Sequence, residues 1–268
     1  PRKAESWSGV RDATQLGDRA PQNPTPGLMP EEAVSVSQEP MSERCLHLNV
    51  WTPGLRDNGK RPVMVYFHGG GYSVGSSGNT RYEGTNLCTR QDVVLVTANH
   101  RLNVFGHLHL ADLAGEKFAD SGNAGMLDIV AALEWIRDNI AEFGGDPGNV
   151  TVFGESGGGG KVITLLAMPA AKGLFHRALA QSGFAIRQTS REEATRIAEQ
   201  FLKQLGLKSS EAEKLQRVPQ AEMLAALAKM SPPPRITPVV DGRNLPAHPF
   251  DPAAPAVSEN VPLLIGTN

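Results

Sequence analysis

The sequence predicts an α/β protein in which a mostly parallel central sheet carries helices on both faces. Two observations support this. Short apolar runs rich in β-branched and aromatic residues recur at Val63–Phe67, Val93–Ala98, Thr151–Phe153 and Ala178–Ala180, as suits strands buried on both faces. Between and after these runs lie segments whose apolar residues repeat at three and four, the period of a helix packed on one side.

The elements follow in chain order. Leu46, Leu48 and Val50 alternate with polar residues before Trp51, a half-buried strand by period two. After two buried runs, Met126, Ile129, Val130, Leu133, Ile136 and Ile140 form a helical stripe. It should stop near Gly144-Gly145, with Pro147 beyond, as a glycine C-cap followed by proline would. Further helices are expected over Gly158–Met168, Arg191–Leu205 and Pro219–Lys229, the second opening on Ser190 and Glu193 at capping-box spacing. Val261–Ile265 reads as one more buried strand, with Gly266-Thr267-Asn268 as the loop after it. Pro21–Pro30 and Ser231–Pro238 are proline-rich loops.

Composition narrows the function. With 268 residues, 40% of them hydrophobic and 20% charged, the chain can bury a sizeable core. Its formal net charge of −2 offers no basic excess for a nucleic-acid partner. The longest apolar runs, Val162–Met168 and Val261–Ile265, fall far short of the ~20 residues that span a bilayer. Cys45 and Cys88 cannot build a disulfide framework, and no Cys/His cluster has zinc-ligand spacing, so neither metal nor cofactor is expected. Oligomeric state and compartment are left open. The chain starts at Pro1 without an apolar leader and stops just past a strand, which suggests an internal piece of a longer protein.

The chemistry concentrates in two glycine-rich stretches. Gly154-Glu155-Ser156-Gly157-Gly158 is a G-x-S-x-G pentapeptide. Alone it is weak, since chance supplies one in roughly every ten chains. Here it follows the strand Thr151–Phe153 and opens an apolar helix, the context of a nucleophile elbow. That turn strains the serine backbone, exposes its Oγ at the sheet's C-terminal edge and sets it at a helix N-terminus, which favours developing negative charge. His68-Gly69-Gly70-Gly71-Tyr72 follows the strand Val63–Phe67 in the order expected of an oxyanion hole. The N–H groups of Gly70 and Gly71 are the expected donors, with that of Gly157 as a third. His68 is read as bracing its loop, because the base in this arrangement follows the serine in the chain.

These residues carry a resemblance. Ser42-Glu43-Arg44-Cys45-Leu46-His47-Leu48-Asn49-Val50-Trp51 is similar to the S-E-D-C-L-x-L-N-[VI]-W signature of the type-B carboxylesterases, the family that includes the cholinesterases. Asn123–Gly125, Phe143-Gly144-Gly145-Asp146-Pro147, Phe153–Gly158 and Gln181-Ser182-Gly183 resemble that family's motifs in the expected order. The resemblance runs from about Trp7 to Asn268 and implies an α/β-hydrolase fold, incomplete at both ends, with residues 1–268 forming part of one domain. It implies a small-molecule carboxylic ester as substrate, cleaved through an acyl-serine at Ser156, with Ser182 and Glu155 in supporting positions. The departures matter as well. Arg44 replaces the usual aspartate, and Ala20, before Pro21-Gln22, stands where many relatives carry the cysteine that pairs with the equivalent of Cys45. Cys88 is read as a small core residue. The loop Gln22–Arg44 has no aromatic residue for cation–π capture of a choline head group, which argues against a choline-ester preference.

A serine nucleophile needs a base and an acid, in the chain order Ser, acid, His for this fold. After Ser156 come only His176 and His248. His176 lies too soon after the elbow helix, and Asp241 with His248 are too close in sequence to flank a parallel crossover, so Asp241-Gly242 reads as a turn. By the resemblance, the triad glutamate follows a strand ending in G-[TV]-N, which puts it just past Asn268, with the histidine further on. The chain alone is then expected not to turn over substrate. Two rivals are a non-catalytic cholinesterase-like adhesion module, disfavoured by the intact elbow, and a hormone-sensitive-lipase-like esterase, which lacks the Ser42–Trp51 and Phe143–Pro147 motifs. Phe184, Ile186 and the segment Met223–Met230 are candidates for one wall of a substrate pocket, with a plain core role the alternative.

Overall fold

A computed structural model describes residues 7–24, 39–183 and 185–268. Residues 25–38, most of the loop Gln22–Arg44, and Phe184 lie outside the described residues, so neither that loop's lack of an aromatic nor the wall role of Phe184 meets a structural counterpart. Eight strands are present among the described residues: β1 (Leu48–Trp51), β2 (Arg61–Phe67), β3 (Val94–Ala98), β4 (Gly145–Glu155), β5 (Arg177–Gln181), β6 (Thr189–Ser190), β7 (Val239–Val240) and β8 (Leu263–Gly266). Six form the central sheet in the order β1-β3-β2-β4-β5-β8. Only β1 runs antiparallel, against β3; all other pairings are parallel. β6 and β7 make a separate parallel pair.

Burial follows the sequence pattern. Every residue of β3 is buried, while β2 alternates, with Val63, Val65 and Phe67 inside and Met64 and Tyr66 half-buried. Those inward residues join Met126, Ile129, Leu133 and Ile136 of the helix Ala124–Asn139, and Val162, Ile163, Leu165 and Leu166 of the helix Gly157–Leu166, in one core. A second cluster packs Phe201 and Leu202 of the helix Arg191–Gln204 against Met223 and Ala226 of the helix Gln220–Ala228. Met230 belongs to the same cluster, so Met223 and Met230 are core residues, whereas Ile186 is exposed.

Several boundaries shift from the sequence reading. After Asn139 a 3-10 turn, Ile140–Phe143, leads to Gly144, which takes the left-handed cap conformation (φ 71°). β4 then begins at once, so Pro147 lies within that strand instead of a loop. The pairing of β2 with β4 is irregular between Arg61 and Val63, and such an irregularity tolerates a residue without an N–H. The helix after Ser156 stops at Leu166, two residues early. Ser190 caps its helix, its Oγ accepting from the Glu193 N–H at 3.2 Å, but the return bond from the Ser190 N–H to the Glu193 carboxylate that would complete the expected capping box is not made.

Both cysteines are free and buried. Cys45 packs with Ala20 and Leu102, so a methyl group stands where a disulfide partner would be. Arg44 is exposed and makes no ion pair among the described residues. At the turn after β3, the buried Asp128 carboxylate accepts from Arg101 Nε (2.8 Å), Nη2 (2.6 Å) and backbone N–H (3.0 Å). This pair ties the long helix Ala124–Asn139 to that turn. Asp128→Ala removes these charge-assisted bonds and leaves the partly exposed Arg101 unmatched, so it is expected to lower stability of the intact protein by about 2–3 kcal/mol, read from denaturant unfolding.

Candidate active site

β2 and β4 are direct neighbours, with Phe67 opposite Gly154, so the turns leaving both strands emerge side by side. After β4 the chain reverses through Ser156 (φ 53°, ψ −117°) into the helix Gly157–Leu166. A non-glycine residue in that region costs about 1–3 kcal/mol and persists only where its surroundings impose it. Here the Ser156 N–H donates to the Gln181 carbonyl (2.8 Å) and the Ser156 carbonyl accepts from Gly160 (3.0 Å). Glycine is required on both sides of the turn. A Cβ on Gly154 would stand 2.7 Å from the Phe67 carbonyl oxygen, and one on Gly158 would overlap that oxygen. Ser156 is exposed at this corner, as the nucleophile reading requires.

The facing turn is His68–Gly71. Gly70 and Gly71 both take positive φ (83° and 62°), turning their amides in a way other residues rarely permit. The turn sits against the serine: a Cβ on Gly69 would lie 3.7 Å from Ser156 Cβ, and Gly157 is in contact with Gly71. Among the described residues the N–H groups of Gly70, Gly71 and Gly157 donate to no protein acceptor. Beyond Gly71 the space in which a Cβ would point is open to 4 Å. The three amides named from the sequence are thus brought to the same corner as Ser156.

Behind the turn stands a buried polar layer. Lys161, on the helix after Ser156, is fully buried and its Nζ donates to the carbonyls of His68 (2.7 Å) and Gly71 (2.9 Å). Desolvation pushes its pKa down to about 7. The Tyr72 hydroxyl bonds to Thr164 Oγ1 (3.0 Å), and Gln188 Nε2 donates to both, at 2.9 and 2.8 Å. Asn103 secures the next residues, its N–H donating to the Tyr72 carbonyl (2.7 Å) and its Nδ2 to the Ser73 carbonyl (3.2 Å). His68 is buried, its Nδ1 bonded to the Gly69 carbonyl (2.8 Å) and its ring stacked on His100 at 4.7 Å. Burial first, then the Lys161 charge, pushes His68 down to about 3. Burial does the same to His107, also to about 3, and holds His100 well below the ordinary range.

The other residues singled out from the sequence separate. Glu155 ends β4 with an exposed side chain, its Oε2 3.5 Å from where a Gly69 Cβ would stand. Ser182 takes positive φ (50°), and its N–H donates to the Gly266 carbonyl (2.7 Å), which sets it between the ends of β5 and β8. No hydrogen bond joins the Ser156 hydroxyl to a histidine among the described residues. His176 Nδ1 accepts from the Val150 N–H (3.1 Å) and His248 Nδ1 from the Gln188 N–H (3.2 Å), so both serve the scaffold. Asp241 closes a turn, accepting from the N–H groups of Arg243, Asn244 and Leu245 and from Asn123. Sequence reasoning passes over Lys161, Tyr72, Asn103 and His100. For Lys161 a signal exists, because it is the one charged residue between Gly157 and Met168.

Comparison with known proteins bears on the same corner. The family described as "Carboxylesterase family" matches residues 1–268. The para-nitrobenzyl esterase of Bacillus subtilis (strain 168) is 39% identical, covering 100% of this chain and 54% of its own length. The liver carboxylesterase 1 of Oryctolagus cuniculus is 37% identical over 100% of this chain and 50% of its own. Among solved structures, a carboxylesterase of Geobacillus stearothermophilus superposes with a TM-score of 0.86 at 43% identity, covering 97% of this chain and 52% of that one. The chain therefore spans about half the length of the relatives it matches, and the fold is that of the α/β-hydrolases, with a mostly parallel sheet.

Three of the buried histidines, His68, His100 and His107, give a pH dependence with a definite sign. Their folded pKa values lie below the unfolded value of about 6.5, so the stability they contribute is complete above that pH and is lost as pH falls toward 3. At pH 5.5 unfolding is expected to take up about three protons, a slope of about 4 kcal/mol per pH unit. Melting temperature and calorimetric enthalpy across pH 5–7 measure that uptake, and His100→Phe should reduce it by about one proton.

Proposed function

The chain belongs to the carboxylesterase family, and from that premise we propose that it carries the nucleophile and oxyanion hole of a serine hydrolase of broad specificity acting on small carboxylic esters. The observation that supports this most directly is the exposed Ser156 at a strained corner, facing amides that have no protein acceptor among the described residues. In this reading a general base takes the Ser156 proton as Oγ attacks the ester carbonyl carbon. The carbonyl oxygen becomes an oxyanion held by the N–H groups of Gly70, Gly71 and Gly157, where donors of this kind are worth about 3–4 kcal/mol each. Collapse expels the alcohol, which takes the proton from the base, and leaves an acyl-Ser156. Water, deprotonated by the same base, then releases the carboxylic acid and regenerates the serine.

We read the base and its acid as residues of the intact protein outside this chain. The commitment of His176, His248 and Asp241 to scaffold hydrogen bonds supports this. So does the register of β8, whose Gly266 lies opposite Gln181, the residue that accepts from Ser156. The chain leaving β8 thus emerges beside the elbow, where an acid could reach the base. His68 and Ser182 take supporting places, the first holding the amide turn and the second the exit of β5. Esters of uncharged alcohols fit this reading, and no cofactor enters it.

The test is covalent labelling. A fluorophosphonate is expected to modify Ser156 of the intact protein, identified by peptide mass spectrometry. Ser156→Ala should abolish the label and lower kcat for p-nitrophenyl acetate by about 10⁴-fold or more with little change in melting temperature. A label on another residue, or a Ser156→Ala enzyme with kcat within tenfold of wild type, would refute the proposal.

A further inference from the structure

We propose that Lys161 is the positioning residue of the oxyanion hole, its ammonium clamping both ends of the segment that presents the Gly70 and Gly71 amides. This rests on the reading of Ser156 and those amides given above. The geometry is specific. Lys161 Nζ donates to the His68 carbonyl at 2.7 Å and to the Gly71 carbonyl at 2.9 Å. The two peptide units between those anchor points are the ones that carry the N–H groups of Gly70 and Gly71. Gly70 and Gly71 both have positive φ; the Gly70 carbonyl accepts from the Ser73 and Val74 N–H groups and Gly71 lies against Gly157, and to these backbone contacts Lys161 adds a donor that spans both ends of the segment. A donor fixed to the elbow helix, five residues after Ser156, therefore holds the amides in register with the nucleophile.

The surroundings make the clamp's charge matter. Lys161 is fully buried, and among the described residues it forms no ion pair. The titratable groups that face it are His68 from the end of β2, His100 from the turn after β3, His107 from the helix Asn103–His107 and Tyr72 from the glycine turn itself. All stay neutral near pH 7, the histidines because burial depresses them and Tyr72 because burial pushes it up to about 12. The Tyr72 ring lies 5.7 Å from Nζ, a weak cation–π contact. Two carbonyl dipoles and one ring face steady the ammonium, and desolvation by burial pushes its pKa down to about 7. Above that pH the clamp keeps its N–H donors and loses its charge, which weakens both bonds.

The test uses the intact protein and starts from fluorophosphonate labelling of Ser156; absence of that label overturns this proposal together with the reading beneath it. With labelling established, Lys161→Met is expected to lower kcat for p-nitrophenyl acetate about 10²-fold, with KM within threefold. It should also weaken a trifluoromethyl ketone, whose bound form is an oxyanion, by a similar factor. A folded Lys161→Met enzyme with kcat within threefold of wild type, or one that loses kcat while binding the ketone normally, overturns the clamp and leaves the Ser156 reading standing. Should Lys161→Met not fold, Lys161→Gln carries the test. The ratio of wild-type to Lys161→Gln kcat/KM is expected to fall about tenfold as pH rises from 6 to 9. The catalytic base titrates in both enzymes, and only the wild type has a Lys161 proton to lose. A flat ratio overturns the proposal.

Discussion

The site depends on one close approach of bare backbone to bare backbone, where the turn after β4 rests on the carbonyl oxygen that ends β2. Phe67 and Gly154 are register partners, and any Cβ on Gly154 or Gly158 would press into the Phe67 oxygen. This contact removes the freedom of two turns at once. Ser156 cannot relax out of its positive φ without moving the helix behind it, and the His68–Gly71 turn cannot drift from the serine without moving β2. Preorganisation of this kind matters because a donor aimed in advance at the place where charge will develop needs no reorganisation at the moment of reaction.

Such a corner is unfavourable taken alone. It combines a strained serine with buried, desolvated polar side chains, of which Lys161 and three histidines are the extreme cases. The compensation lies in the core under it, where β2, β4 and β5 bury continuous apolar faces against the helices Ala124–Asn139 and Gly157–Leu166. Hydrogen bonds supply part of it: Tyr72, Thr164 and Gln188 close a ring of three, and Asn103 fastens the chain just beyond the glycines, while among the described residues both ring nitrogens of His100 have no partner. Strain at a functional corner over-determined by a well-packed scaffold is the usual arrangement.

The sheet is legible in the sequence because each central strand is a short, β-branched run, and the sharp turn at Ser156 is legible because its glycines are steric necessities at fixed spacing. What escapes has physical reasons. The helices Thr85–Gln91, Asn103–His107 and Ala111–Ala114 are too short to display a period. β4 reads as a strand only over Thr151–Phe153 because Gly145-Asp146-Pro147-Gly148 has turn composition, yet pairing with the irregular start of β2 draws it into the strand. Lys161 escapes because a lysine on a helix is normally solvated, and only tertiary packing reveals the two carbonyls that it serves. The neighbour of Cys45 shows the reverse: the family resemblance points to Ala20, and the two side chains do share one buried cluster.

The central claim is that Ser156 and the amides of Gly70, Gly71 and Gly157 act on one reacting carbon. A crystal structure of the intact protein carrying a phosphonate on Ser156 tests it directly. The account predicts the phosphoryl oxygen within about 2.7–3.1 Å of those three amide nitrogens, in the place a tetrahedral oxyanion would take. An adduct whose oxygen faces solvent, or which bonds to none of the glycine amides, would contradict it.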